Sequence, residues 1–202
     1  AFLLLGLTAC GSNPKVASKE RNEEYEEVDF DTIKNFFYEK LKGETLIRTY
    51  GEDTGQTKVI FENDGHFRGD YFGKIASDGK DYGLTDTAWL YYHGEEIHSS
   101  EFTGIFEISK AIDDCRYEVA LRDFKITTKE GVYDQIYYHV DFALGLNPDS
   151  RYILYRPGCP IKTLEKDDRL LEIAKKASPD GEKIRGFIIY NKTDGEVFSQ
   201  NQ

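Results

Sequence analysis

The residues of this 202-residue chain whose types could do chemistry are four histidines, three cysteines and 37 carboxylates. His93 and His98 flank Gly94-Glu95-Glu96-Ile97, with Glu101 beyond. Folded back across a hairpin, these two imidazoles could join Glu95 or Glu96 around a metal such as zinc. The spacing is not the His-x-x-x-His of a zinc-protease helix, and the same residues fit solvated positions on a hairpin. No metal or other cofactor is therefore expected. Asp78, Asp81 and Asp86 around Gly79 suggest calcium, but the stretch lacks the terminal Glu of a calcium loop and reads better as turns. No carboxylate pair stands on an apolar background as an acid–base couple would. There is no Gly-x-Ser-x-Gly elbow, phosphate-cradling glycine loop or dinucleotide fingerprint. A cysteine nucleophile would need Cys115 or Cys159 beside His139 or His66, and nothing in the spacing favours that. No catalytic residue is assigned.

Two further sets of residues bear on function. Cys115 and Cys159 could pair as a disulfide outside the cytoplasm, or both could be small buried apolar residues. Both readings stay open. Trp89, Tyr91, Tyr92, Tyr137 and Tyr152, with Tyr133, Tyr138 and Tyr155, could line a ligand cavity, since an aromatic body with a polar tip suits mixed surfaces. The competing reading is ordinary barrel core and sheet surface, because strand propensity alone selects such residues.

The N-terminus carries the most specific pattern. Ala1 to Ala9 is uncharged and rich in Leu, and too short to span a bilayer. It ends in Leu7-Thr8-Ala9-Cys10, followed by Gly11-Ser12-Asn13. That order resembles a bacterial lipobox, which implies a signal peptide over residues 1–9, cleavage before Cys10 and a diacylglyceryl group on its thiol. Two acyl chains anchor stably where one does not. Residues 10–28 then read as a flexible tether, too polar to offset the entropy of ordering. The chain contains no Met, so the sequence is expected to start inside a longer precursor. Its formal charge of -11 opposes binding to nucleic acid or to anionic headgroups through a basic patch.

The elements that must position these residues fall within residues 29–202, read as one domain. Phe30, Ile33, Phe37 and Leu41 recur at helical spacing over Asp29 to Lys42, where Asp29 or Asp31 can cap. The period then changes to two. Strands are expected at Glu44–Tyr50, Thr57–Glu62, His66–Phe72, Ala88–His93, Ile97–Ile108, Cys115–Phe124, Tyr133–Phe142, Arg151–Tyr155, Ile184–Tyr190 and Glu196–Ser199. Asn63-Asp64-Gly65 marks a hairpin in which Gly and its neighbour take positive φ. Leu164 to Ala177 is a second amphipathic helix. This pattern points to a mainly β, α+β fold: an antiparallel barrel or sandwich, lipocalin-like in kind, with an N-terminal helix and one in the C-terminal half.

Four stretches, in order, resemble a family of lipoproteins of unknown function from low-GC Gram-positive bacteria. They are Asn63-Asp64-Gly65-His66-Phe67-Arg68-Gly69-Asp70-Tyr71, Phe102-Thr103-Gly104-Ile105-Phe106, Tyr152-Ile153-Leu154-Tyr155-Arg156-Pro157-Gly158-Cys159-Pro160 and Gly186-Phe187-Ile188-Ile189-Tyr190-Asn191. The chain departs from the family pattern at Cys159, where Thr is usual. The resemblance implies a lipid-anchored, β-rich protein and no activity. The expected function is a non-enzymatic module on the extracytoplasmic face of the cell membrane, binding a small ligand or an envelope protein. The alternatives are an envelope hydrolase, metal-dependent or otherwise, and a structural protein of envelope assembly.

Overall fold

A computed structural model describes residues 29–49, 55–76, 95–129, 131–133, 136–138, 143–178 and 180–200, with backbone only at 49, 73–76, 95–98, 131–133 and 136–138. Cys10, Trp89, Tyr91, Tyr92, His93 and His139 lie outside the described residues, as does the strand expected at Ala88–His93.

Helix α1 spans Phe30–Leu41. Asp29 is its cap, its carboxylate accepting from the Asp31 N–H at 3.2 Å. Strands β1 (Thr45–Thr49), β2 (Gln56–Phe61), β3 (His66–Ala76), β4 (Glu95–Ala111) and β5 (Arg116–Ile126) follow as a meander. A small hairpin of β6 (Gly131–Tyr133) and β7 (Ile136–Tyr138) stands apart from the main sheet, with β7 against β4. Strand β8 (Tyr152–Tyr155), helix α2 (Asp168–Lys176), β9 (Ile188–Asn191) and β10 (Glu196–Gln200) complete the order. β10 pairs with β1, so eight antiparallel strands close into a barrel and the sandwich alternative falls away. No described helix is long and apolar enough to cross a membrane.

Several element boundaries differ from those expected: β3 runs on to Ala76, β4 from Glu95 to Ala111, and three others differ as follows. Within the stretch expected as one strand over 133–142, Tyr133 ends β6 and Ile136–Tyr138 is its hairpin partner, with Tyr133 opposite Ile136; residues 134, 135 and 139–142 lie outside the described residues. Helix α2 starts at Asp168 rather than Leu164, because the Asp167 carboxylate takes the Leu170 N–H at 2.8 Å and caps the helix there. Ile184 exchanges backbone bonds with Gly158 and Cys159, so the last pair of strands begins only at Ile188. The turn at Asn63–Gly65 has positive φ at Asp64 (55°) and Gly65 (77°), as the hairpin reading requires.

Two apolar layers share the barrel wall. Its interior holds Leu46, Val59, Phe61, Phe67, Phe102, Phe106, Val119, Leu121, Tyr152, Leu154, Ile189 and Phe198. Its outer face over β8, β9 and β10 is covered by α2 and the preceding loop, through Leu164, Leu170 and Ala174 packed near Ile153, Ile188 and Val197. Helix α1 lies across the end formed by the finish of β2 and β4 and the start of β5. There Phe37 packs against Tyr117, the rings tilted at 59° with centroids 4.7 Å apart. The Tyr38 phenol oxygen accepts from the buried Ile108 N–H at 3.0 Å. Burial raises the Tyr38 pKa, with that bond pulling the other way. Tyr38→Phe keeps the ring and strands the N–H. It is expected to destabilise the fold by about 1–3 kcal/mol in urea unfolding with the slope unchanged.

Candidate functional site at the polar mouth of the barrel

The end opposite α1 is chemically different. Inward-facing positions there carry Arg48 on β1, Thr57 on β2, Tyr71 on β3, Ser100 on β4, Asn191 on β9 and Glu196 on β10, all buried. Alternation puts Arg48 on the same face as Leu46 and Glu196 on the same face as Phe198, so barrel closure forces the two charges inside. Arg48 Nε donates to Glu196 Oε2 at 2.7 Å and Nη2 to Oε1 at 3.0 Å, a bidentate pair. Arg169 of α2 reaches the same carboxylate from outside, Nη1 to Oε2 at 2.9 Å. One carboxylate thus joins β1, β10 and the outer helix. Burial raises the Tyr71 phenol pKa, and the nearby Arg48 charge opposes part of that rise.

The segment 143–150 closes this mouth and is held by the inward side chains. Thr57 Oγ1 donates to the Leu144 carbonyl at 2.7 Å, and Asn191 Nδ2 donates to the Gly145 carbonyl at 3.0 Å. The Tyr152 hydroxyl accepts from the Asn147 N–H at 2.7 Å and donates to its carbonyl at 2.8 Å. Gly145 sits at φ 86° beneath the Phe198 ring, where an added Cβ would stand 3.0 Å from that ring. What the arrangement does chemically is lock a loop over a packed interior.

Those sequence-predicted residues that are described fall in different parts of the fold. Tyr152 is 1% exposed, its ring 5.3 Å from that of Phe106 and its hydroxyl tied to the closing loop. Tyr155 belongs to the outer layer, its hydroxyl accepting from the Glu165 N–H at 3.3 Å. Tyr137 lies on β7, in the two-stranded sheet against β4 and not in the barrel sheet that holds Tyr152. His98 falls on β4 opposite Gly73. Among the described residues no three His, Cys, Asp or Glu side chains converge as a metal set would. Cys159 is fully buried and its thiol donates to the Cys115 carbonyl at 3.3 Å. A separate surface pocket of about 550 Å³ is lined by Pro160, Ile161, Lys162, Gly181, Glu182 and Lys183. The sequence reading missed Arg48, Glu196 and Asn191. Arg48 and Leu46 two apart in a strand was the available signal, but a partner 148 residues away was not visible.

Burial pushes the phenols of Tyr152, Tyr155 and Tyr190 up to about 12, with Asp167 reinforcing the effect at Tyr190. An unfolded tyrosine titrates near 10. These groups therefore contribute their full stability below about pH 10 and lose it as pH rises towards 12. Phenolate absorbance near 295 nm is expected to show these tyrosines ionising in one step with loss of near-ultraviolet dichroism. Early, independent ionisation of all tyrosines would contradict the packing.

No family model, curated protein or solved structure matches the chain.

Proposed function

We propose that this chain is a lipoprotein held on the extracytoplasmic face of a membrane by a diacylglyceryl group on Cys10, and that its barrel engages another envelope protein through its outer surface. The observation that carries the surface reading is the filled interior. The rings of Phe61, Phe67, Phe102, Phe106 and Tyr152 lie within contact of one another, with centroids 5.0–6.3 Å apart along the chain of pairs. Helix α1 covers one end and segment 143–150 the other. A barrel used as a carrier needs its axis for cargo, and here side chains occupy it. The lipobox at Leu7 to Cys10, the polar tether to residue 28 and the likeness to Gram-positive lipoproteins support the anchored location.

Native mass spectrometry of the chain extracted from membranes in mild detergent tests the surface reading. The expected species are the chain alone and the chain with a protein partner. A stoichiometric small molecule, released on unfolding and diminished by Phe106→Trp, would overturn it.

A further inference from the structure

We propose that Cys115 and Cys159 form a disulfide when the domain folds in the presence of an oxidising thiol–disulfide couple. The topology brings them together. Cys115 immediately precedes β5, and Cys159 lies four positions after the end of β8 at Tyr155. β5 and β8 pair with Arg116 opposite Tyr155, so the chain leaving β8 starts beside Cys115. The Arg156 N–H donates to the Cys115 carbonyl at 3.3 Å, and its guanidinium donates to the Asp114 carbonyl. Gly158, at φ 86°, lets the chain turn back, and the Cys159 N–H donates to the Arg156 carbonyl at 3.4 Å. The Cys159 thiol then reaches the Cys115 carbonyl oxygen at 3.3 Å. The Cys115 thiol is close enough to hold the Cys159 proton on, second only to burial, and together they push that thiol up to about 12.

The two sulfurs differ in access. Cys115 is half-buried and Cys159 is buried. The first step is attack of the Cys115 thiolate on a sulfur of the oxidant's disulfide. The oxidant's S–S bond breaks, and the displaced thiolate takes a proton from water. Cys159 then loses its proton to a solvent base and attacks Cys115 Sγ, releasing the second half of the oxidant as a thiol. Two protein thiols lose two electrons and two protons, and the oxidant's disulfide becomes two thiols. The high pKa of Cys159 makes the second step slow in the closed fold, so the bridge is expected to form fastest as the chain folds. It would staple the start of β5 to the loop beneath α2. Closing a 44-residue separation would raise the melting temperature by roughly 5–15 °C.

Occurrence of the bridge in cells rests on the extracytoplasmic reading; its formation in buffer does not. The full chain is purified with reductant, unfolded, and refolded in oxidised and reduced glutathione. It is then alkylated in denaturant and digested with trypsin. The expected product is peptide Ala111–Arg116 linked to Tyr152–Lys162, lost on reduction, with a melting temperature that falls on adding reductant. Full alkylation of both peptides in oxidised glutathione, or a link from either to Cys10, would overturn the proposal. The mass readout needs no variant, so a poorly folding Cys159→Ser would not blunt it. A link made in buffer but missing from chain isolated from cells leaves the pair standing and counts against the extracytoplasmic location.

Discussion

Glu196→Gln is expected to destabilise the domain by about 3–5 kcal/mol, more than Arg48→Met does. The asymmetry follows from burial and from the third member of the network. The Arg48 side chain is 1% exposed and donates two hydrogen bonds to one carboxylate. Removing that negative charge takes away the carboxylate that balances a buried cation at a mouth whose other described inward side chains, Thr57, Tyr71, Ser100 and Asn191, are neutral. Removing Arg48 leaves Glu196 still bonded to Arg169 at 2.9 Å and 12% exposed, so its charge keeps a partner and some water. A double change, Arg48→Met with Glu196→Leu, is expected to recover most of the loss, because a packed apolar pair replaces a desolvated ionic one. Urea unfolding of the four proteins in a double-mutant cycle checks this. Equal losses for the two single variants would show that Arg169 does not share the carboxylate in solution.

Gly69→Ala is the other change expected to be severe, at about 3 kcal/mol or more, a fall in melting temperature of roughly 6–12 °C. β3 and β4 are paired with Phe67 opposite Gly104 and Gly69 opposite Phe102. Each glycine thus lies under the ring of its cross-strand partner. At Gly69 an added Cβ would press into the Lys58 backbone carbonyl as well as the Phe102 ring. At Gly104 it would meet the Phe67 ring at 2.6 Å, and no backbone atom is among its nearest neighbours. A ring can turn aside where a carbonyl in a ladder cannot. Gly104→Ala is therefore expected to be milder and to be rescued by Phe67→Leu. Gly69→Ala should gain little from Phe102→Leu. Thermal unfolding by circular dichroism separates the two cases, and similar rescue at both sites would contradict the backbone clash.

These pairs also explain what the sequence could and could not tell. The stretches around Phe67-Arg68-Gly69 and Phe102-Thr103-Gly104 stand out as motifs, and their content turns out to be reciprocal packing inside the barrel. The motif is readable locally, whereas its meaning needs the register between strands. Alternation over Cys115–Phe124 puts Cys115, Tyr117, Val119 and Leu121 on one face; the last three are buried, and Cys115, just before β5, is half-buried. The α1 face through Phe37 and Leu41 and the cap at Asp29 were legible for the same reason, since both depend on neighbours within a turn. Barrel against sandwich was not decidable, because the deciding contact joins β1 to β10 across the length of the chain. Arg48 escaped notice because a charged residue on a strand reads as an outward position until its distant partner is known. Tyr152, one of the tyrosines that could have lined a cavity, serves the core and the closing loop.

The proposed tether to a membrane through lipid on Cys10 is tested by the intact mass of the chain extracted from membranes. The expected protein begins at Cys10, carries a diacylglyceryl group there, and shifts to the soluble fraction in a Cys10→Ser variant. An unmodified chain that keeps Ala1 to Ala9 would contradict it.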